Sequence, residues 1–172
     1  MSNAGSEPKR AVVVGSSFAG LTAAFELRKR LDPGVEVVVI EPREKFTFIP
    51  SLIWVPFGMR EPDDVTFDLE PVYTKKGIRF INEAAKGFDL EAQTVTTTGG
   101  QEISYDSLLL ATGPRLAFEK IDGLGPHGGY TQSVCNLEHA LLTRDAWQKF
   151  LENPGPVVVG TAQGGSCFGA SY

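Results

Sequence analysis

The sequence predicts an α/β fold in which a parallel sheet is followed by an antiparallel β-meander, and three observations predict it. Residues 11–14 are a continuous apolar run, and residues 35–40 are apolar and β-branched except for Glu36. Both are typical of strands buried on both faces of a parallel sheet. A glycine-bounded turn and helical apolar spacing over 21–31 lie between those runs, which makes one strand–helix–strand unit. Farther along, β-rich segments with a tight Gly99-Gly100 turn predict the meander, at 86–90, 94–98 and 102–105.

The other segments follow from the same patterns. Residues 43–71 are rich in proline and aromatic residues and lack periodicity, which predicts a long functional loop. Asn136 is predicted to cap a helix that continues to residue 151. We also expect strands at 77–81, 107–112 and 157–159, the last of them buried, and a loop at 115–132.

Composition excludes several classes of function. The chain has 172 residues, a length that suits one domain of ordinary size, and a net charge of −5, which argues against a nucleic-acid partner. No signal peptide is recognisable in the sequence, and no run approaches the ~18–20 apolar residues that a membrane span needs. The two cysteines do not make a disulfide framework, so we expect a cytoplasmic protein whose thiols are free, catalytic or redox-active.

The turn after the first run matches the pattern G-x-G-x-x-G, with serine at the middle glycine. In such a turn the first glycine permits the bend, the last allows close packing, and the helix N-terminus holds a pyrophosphate. Glu41 stands 21 residues after Gly20, where an acid accepts hydrogen bonds from ribose hydroxyls and repels a 2′-phosphate. A glycine turn of another doubly wound fold is the alternative. The predicted cofactor-binding residues are Gly15, Ser16, Ser17, Phe18, Ala19, Gly20, Glu41, Ala111, Thr112 and Gly113.

Some signals leave alternatives open. Gly160, Ala162 and Gly165 make a second glycine pattern after an apolar run, which by itself predicts an NAD(P)H-binding turn. The aromatic residues of the long loop (Phe46, Phe48 and Trp54) either line a flavin or quinone pocket or pack into the core. Neither histidine has a partner at a spacing typical of metal sites, so we assign no metal.

Taken together, the glycine turn, Glu41 and Ala111–Gly113 resemble the FAD-dependent pyridine nucleotide-disulfide oxidoreductase superfamily. Within it, residues 46–54, 133–140, 154–160 and 165–172 resemble the sulfide:quinone oxidoreductase family. The resemblance covers residues 10 to 172. It implies a Rossmann-like FAD-binding domain and an enzyme that oxidises sulfide and passes the electrons to quinone.

The same resemblance implies roles for both cysteines. Cys167 matches one member of the redox pair beside the flavin, and Cys135 matches an additional cysteine that carries sulfur or is tied to the flavin in some members. Because a thiolate is needed and a helix N-terminus lowers a thiol pKa, the glycine-rich context of Cys167 suits that role. A small buried residue is the alternative at both positions. A disulfide between the two cysteines is a further expectation.

Further expectations concern organisation. We expect residues 1–8 to be a tag or disordered, 9–115 to be the FAD-binding segment, 116–153 a connecting loop and helix, and 154–172 the start of a second Rossmann-like domain. The chain is then an N-terminal fragment, inactive alone, of a homo-oligomer that lies peripheral to the inner membrane. An NAD(P)H-dependent FAD oxidoreductase of the NADH:quinone type, and a nucleotide-binding module without turnover, are the alternative functions.

Overall fold

The chain has a mixed α/β fold, which the computed structural model describes for residues 9–160. Three 3₁₀ helices lie at Ile49–Trp54, Pro62–Asp64 and Phe118–Lys120. None of the helices in residues 9–160 is long and apolar enough to cross a membrane. The strands and α-helices are β1 (Arg10–Val14), α1 (Phe18–Arg30), β2 (Glu36–Ile40), β3 (Lys45–Thr47), β4 (Thr66–Asp68), α2 (Leu69–Lys75), β5 (Arg79–Ile81), β6 (Ala85–Asp89), β7 (Thr94–Thr97), β8 (Glu102–Ser104), β9 (Ser107–Leu110) and α3 (Leu137–Glu152).

The described residues divide into two compact units. Unit 1 comprises residues 9–46 and 67–115, and unit 2 comprises residues 47–66 and 116–160. The short strands β3 and β4 pair with each other where the chain passes from one unit to the other. The domain boundaries expected from the sequence stay predictions.

A parallel sheet forms the centre of unit 1, with strand order β5-β2-β1-β9. Every neighbouring pair in this sheet is parallel, and in the central pair Val12 lies opposite Val38. Side chains alternate between the faces of a strand. Val13, Val37 and Val39 therefore pack against α1 and α2, where Ala24 and Tyr73 are buried.

The opposite face of the sheet is covered by the meander of unit 1. Strands β6, β7 and β8 are antiparallel, and Val95 and Ile103 from β7 and β8 pack against Val12, Val38 and Ile40. The predicted parallel sheet with an antiparallel meander is therefore confirmed. Burial on both faces explains why residues 11–14 of β1 and 37–40 of β2 are all apolar.

Two sequence expectations about local structure are wrong. The region 43–71 was expected to be irregular, yet it contains β3, β4, two 3₁₀ helices and the start of α2. Pro71 lies in the first turn of α2, where a missing N–H costs no helical hydrogen bond. The expected buried strand at 157–159 is absent, and its three valines are exposed. No described strand pairs with it, so its apolar composition alone does not create a strand.

Unit 2 is built around helix α3 and the 3₁₀ helix Ile49–Trp54. Leu52, Val55 and Val65 form a small buried cluster with Ala140 of α3. Arg144 of α3 donates from Nε to the carbonyl oxygen of Val55 at 2.8 Å, and its Nη1 lies 2.9 Å from a carboxylate oxygen of Glu61. These contacts fix α3 within unit 2 and orient its N-terminus.

Candidate functional site

The predicted cofactor-binding residues of unit 1 lie at the carboxyl ends of β1, β2 and β9. In open parallel sheets, ligands bind at this edge. The glycine turn joins β1 to α1, Glu41 follows β2, and Ala111 follows β9. The structure thus brings three separate sequence signals to one edge of one sheet.

The turn is so tight that two of its glycines have no room for a side chain. Gly15 has a φ of +99°, and a Cβ there would lie 2.7 Å from the carbonyl carbon of Ala111 and would also meet its oxygen. A Cβ on Gly20 would lie 2.7 Å from the carbonyl carbon of Gly15. The Ala111 N–H donates to the Val14 carbonyl at 2.8 Å, which holds β9 against the turn. Close backbone packing is thus the reason for both glycines.

The N-terminus of α1 has features that suit a bound anion. The N-cap, Ser17, makes no side-chain capping hydrogen bond, and the first turn contains no acidic residue. A pyrophosphate is stabilised at such a terminus by the backbone N–H groups and the helix dipole. Ser17 is half-buried, so its hydroxyl is placed to add a donor.

Glu41 is buried at this edge, with only 2% of its surface exposed, and all of its acceptor positions are used. Oε2 accepts from the Ser16 N–H at 2.7 Å and from Arg43 Nη2 at 2.9 Å. Oε1 accepts from the N–H and Nε of Arg43, at 3.0 and 2.7 Å. Burial raises the pKa of Glu41, but the hydrogen bonds from Arg43 and Ser16 outweigh burial and hold the pKa below its ordinary value.

A buried tyrosine contacts the glycine turn through its hydroxyl group. The hydroxyl groups of Tyr73 and Ser16 lie 2.5 Å apart, and both residues are buried. Burial raises the pKa of Tyr73, so the phenol stays protonated at neutral pH. The hydrogen bond turns the Ser16 side chain into the core while its N–H faces Glu41.

Three residues of this network were not found by sequence reasoning. Arg43 and Tyr73 contact the predicted residues directly, and Asn82 donates to the carbonyl oxygens of Glu41 and Pro42, each at 3.0 Å. Tyr73 lies on a helix that the sequence did not predict. The position of Arg43 two residues after an acid gives no recognisable pattern, and neither does Asn82.

The aromatic residues at the start of α1 and in the region 43–71 differ in burial. Phe18, in the first turn of α1, makes an edge contact with Phe46 at 5.2 Å between ring centroids, and Phe46 stacks on Phe67 at 4.8 Å. Phe46 is buried in the core of unit 1, whereas Phe48 and Trp54 are exposed in unit 2. Phe46 therefore packs into the core, as one of the two interpretations held.

The cysteines are only partly described. Cys135 is exposed and precedes the N-cap of α3, and its N–H donates to Ser133 Oγ at 3.2 Å. As predicted, Asn136 caps the helix: its Oδ1 accepts from the His139 N–H at 2.7 Å. Cys167 and most of the second glycine pattern lie outside the described residues.

Comparison with known proteins shows the family of the chain. The profile of the pyridine nucleotide-disulphide oxidoreductase family matches residues 9–165. The chain belongs to the pyridine nucleotide-disulphide oxidoreductase family. Members of this family are FAD-binding flavoproteins, and the structure matches their Rossmann-like, FAD-binding domain.

Comparison with individual members of the family shows which types of enzyme the chain resembles. The chain is 40% identical over 164 residues to the sulfide-quinone reductase of Aquifex aeolicus, covering 95% of this chain and 37% of that protein. The crystal structure of the Aquifex sulfide:quinone oxidoreductase superposes with a TM-score of 0.87 over 95% of this chain and 37% of that one. A type II NADH:quinone oxidoreductase of Mycobacterium tuberculosis is 32% identical over 113 residues, or 63% of this chain and 23% of that protein. These comparisons confirm the resemblance inferred from the motifs.

Proposed function

We propose that the chain holds FAD at the glycine-turn edge of unit 1 and serves a flavoprotein that oxidises sulfide with quinone as the electron acceptor. The chain spans 37% of the Aquifex protein, so the activity of the whole protein is part of this proposal. The packing of Gly15 and Gly20 against neighbouring backbone, beside a buried Glu41, carries it. The first glycine of such a turn permits its tight bend and the last allows close packing of the helix, which together bring the helix N-terminus to a pyrophosphate.

The residues present suit FAD in three respects. The N-terminus of α1 and the Ser17 hydroxyl would hold the pyrophosphate, Glu41 would accept from the adenosine ribose, and the backbone of Ala111–Gly113 would pass close to the cofactor. One adjustment is required. Because Arg43 and Ser16 occupy all four acceptor positions of Glu41, the exposed Arg43 side chain must give up a hydrogen bond before a ribose hydroxyl can bind.

In the proposed oxidation of sulfide, FAD accepts electrons and the cysteines of the protein carry the sulfur. Bound FAD supplies a two-electron acceptor that is reoxidised by quinone. On the protein side, a sulfide anion attacks a sulfur–sulfur bond, forming a persulfide on one cysteine and releasing the other as a thiolate. When the thiolate and the deprotonated persulfide join in a trisulfide, two electrons are released, which bound FAD would accept. We assign Cys167 to that pair and Cys135 to sulfur transfer or flavin attachment, on the resemblance of their sequence contexts. The partner of Cys167 is not assigned, and we expect the 172 residues alone to lack sulfide turnover.

Two measurements test the proposal. Adding FAD to the 172-residue chain should give a stoichiometric yellow complex with quenched flavin fluorescence, and Gly20→Ala should abolish it. The full-length protein should then reduce a soluble quinone in a sulfide-dependent reaction that Cys167→Ser removes. Failure to bind FAD would reject the proposed cofactor site, while unchanged turnover in Cys167→Ser would reject the role of that cysteine.

The relatives of the NADH:quinone type support a second candidate. If the full-length protein bleaches NADH with quinone and ignores sulfide, the chain serves an NADH-dependent flavoenzyme instead. A chain that binds FAD but whose full-length protein uses neither donor would be a nucleotide-binding module without turnover.

A further inference from the structure

The only two histidines of the chain meet at the start of helix α3 in unit 2. His127 lies in the loop before the helix and His139 in its first turns, and their ring centroids are 5.3 Å apart. Glu138 joins them, since a carboxylate oxygen lies 3.4 Å from His127 Nε2. One ligand atom from each of the three side chains lies within 4.8 Å of the others. Residues 11 and 12 positions apart in sequence thus present two imidazoles and a carboxylate at one point.

One of the three side chains is held in place by the protein. His139 is 4% exposed, its ring contacts Phe118 at 5.5 Å, and its Nδ1 lies 3.4 Å from Ser133 Oγ. Ligand histidines commonly have a polar group at the ring nitrogen that does not face the metal, because it fixes the ring orientation. Ser133 Oγ is a polar group of this kind beside Nδ1, which leaves Nε2 as the ring nitrogen to bind a metal.

The other two side chains are able to adjust. His127 and Glu138 are exposed, and His127 lies between Gly125, with a φ of +100°, and Gly128, with a φ of +75°. Zinc–ligand bonds of about 2.0–2.2 Å place tetrahedral ligand atoms roughly 3.4 Å apart. The His127–Glu138 pair already has this separation, and the remaining pairs need to close by at most about 1.4 Å, a rotamer-scale adjustment.

The surroundings favour a cation. His127 shares a surface cleft with the acidic residues Glu119 and Asp122, and Glu138 adds a third carboxylate at the ring itself. Carboxylates beside two imidazoles favour a cation over an anion at this point. The imidazole–carboxylate contact involves only His127 and Glu138, whereas the ring of His139 is brought to the same point by its packing against Phe118 and His127.

We propose that His127, Glu138 and His139 form a binding site for a divalent transition-metal ion, with zinc as the ion tested. Two imidazoles and one carboxylate are a ligand set that zinc and related ions use in proteins, and three protein ligands leave a coordination position open for water or an anion. The proposal does not depend on the proposed function, because it is argued from His127, Glu138 and His139, to which the proposed function assigns no role.

The experiment measures metal binding to the full 172-residue chain purified without a histidine tag and without FAD. Equilibrium dialysis against Zn²⁺ should give one equivalent per chain. His127→Gln and Glu138→Gln should each weaken binding by roughly tenfold or more, because loss of even an outer-shell partner costs about 10–100-fold. Both residues are exposed, so these variants should keep the far-ultraviolet circular dichroism of the parent chain. Glu152→Gln, an exposed change at the other end of α3, is the matched control and should bind as the parent does.

Cobalt substitution separates this site from the cysteines. Co²⁺ bound by imidazole and carboxylate should give only weak visible bands, whereas thiolate ligands give an intense near-ultraviolet charge-transfer band. The proposal is overturned by an absence of stoichiometric binding, by a thiolate-type spectrum, or by affinity that His127→Gln and Glu138→Gln leave unchanged. A loss of affinity in Glu152→Gln equal to theirs would also overturn it, because it would indicate unspecific charge attraction.

Discussion

The glycine turn of unit 1 and the start of α3 in unit 2 both present functional groups at the end of a helix, but different forces specify them. At the turn, the backbone of Gly15 and Gly20 packs against other backbone, so only one residue type is tolerated. At α3, exposed side chains such as His127 and Cys135 lie on a loop and near a cap, where many residue types would fold equally well. Substitutions should therefore affect stability strongly in the first region and weakly in the second.

The largest effect is expected for Gly20→Ala. The added Cβ would lie 2.7 Å from the Gly15 carbonyl carbon, and the backbone has to move to relieve this contact. We expect a loss of about 3 kcal/mol or more in the free energy of unfolding, the upper range for overpacking, measured by urea denaturation. Gly87→Ala is the matched control, because nothing lies within 4 Å of a Cβ there. Equal losses in the two variants would contradict the packing argument.

A smaller effect is expected for Tyr73→Phe, which removes the hydroxyl group beneath the turn. The buried Ser16 hydroxyl then loses its partner at 2.5 Å, at a cost of about 1–3 kcal/mol. When Tyr73→Phe is made in a chain that already carries Ser16→Ala, it should reduce the free energy of unfolding by less, since no hydroxyl group is then left without a partner. Additive losses in this double-mutant cycle would show that the two hydroxyl groups are not coupled.

The next prediction concerns pH. The pKa of Glu41 is held below its ordinary value of 4.5, so its contribution to stability is present above that pH and is lost as pH falls through the folded-state pKa. Arg43→Met removes the positive charge that lowers the pKa of Glu41, and burial of Glu41 then raises this pKa. The gain in stability on going from about pH 4 to pH 7 should then shrink by about 1 kcal/mol, the scale of one charged hydrogen bond after allowance for the exposed guanidinium.

The control for this pH experiment is Arg79→Met. Arg79 pairs with Glu36 at the surface, at 3.5 Å, where an ion pair contributes little. Its pH profile should follow that of the parent chain. If Arg43→Met and Arg79→Met have the same profile, the buried carboxylate is not the group that responds.

The contrast between the glycine turn and the start of α3 also explains which structural features could be predicted from the sequence and which could not. Strands β1 and β2 were predictable from burial on both faces, and the capping Asn136 and the glycine turn from local backbone requirements, whereas the apolar run 157–159 was not a guide because it is exposed. Arg43 and Tyr73 were not, since their role depends on which residues the tertiary fold brings next to Glu41 and Ser16. The convergence of His127 with His139 depends in the same way on the path of a loop, which no spacing rule describes.

The smallest effect on stability is expected for Cys135→Ser. The thiol is exposed, and the hydrogen bond at this residue comes from its backbone N–H, so the substitution should change the free energy of unfolding by no more than about 0.5 kcal/mol. On the proposed function, the same change in the full-length protein should lower sulfide turnover, because serine cannot carry sulfur or form a thioether. Ser133→Ala serves as the neighbouring control: it removes the acceptor but keeps the thiol, and turnover should persist. A stable Cys135→Ser protein with full sulfide turnover would leave Cys135 with no catalytic role and limit sulfur chemistry in this chain to Cys167.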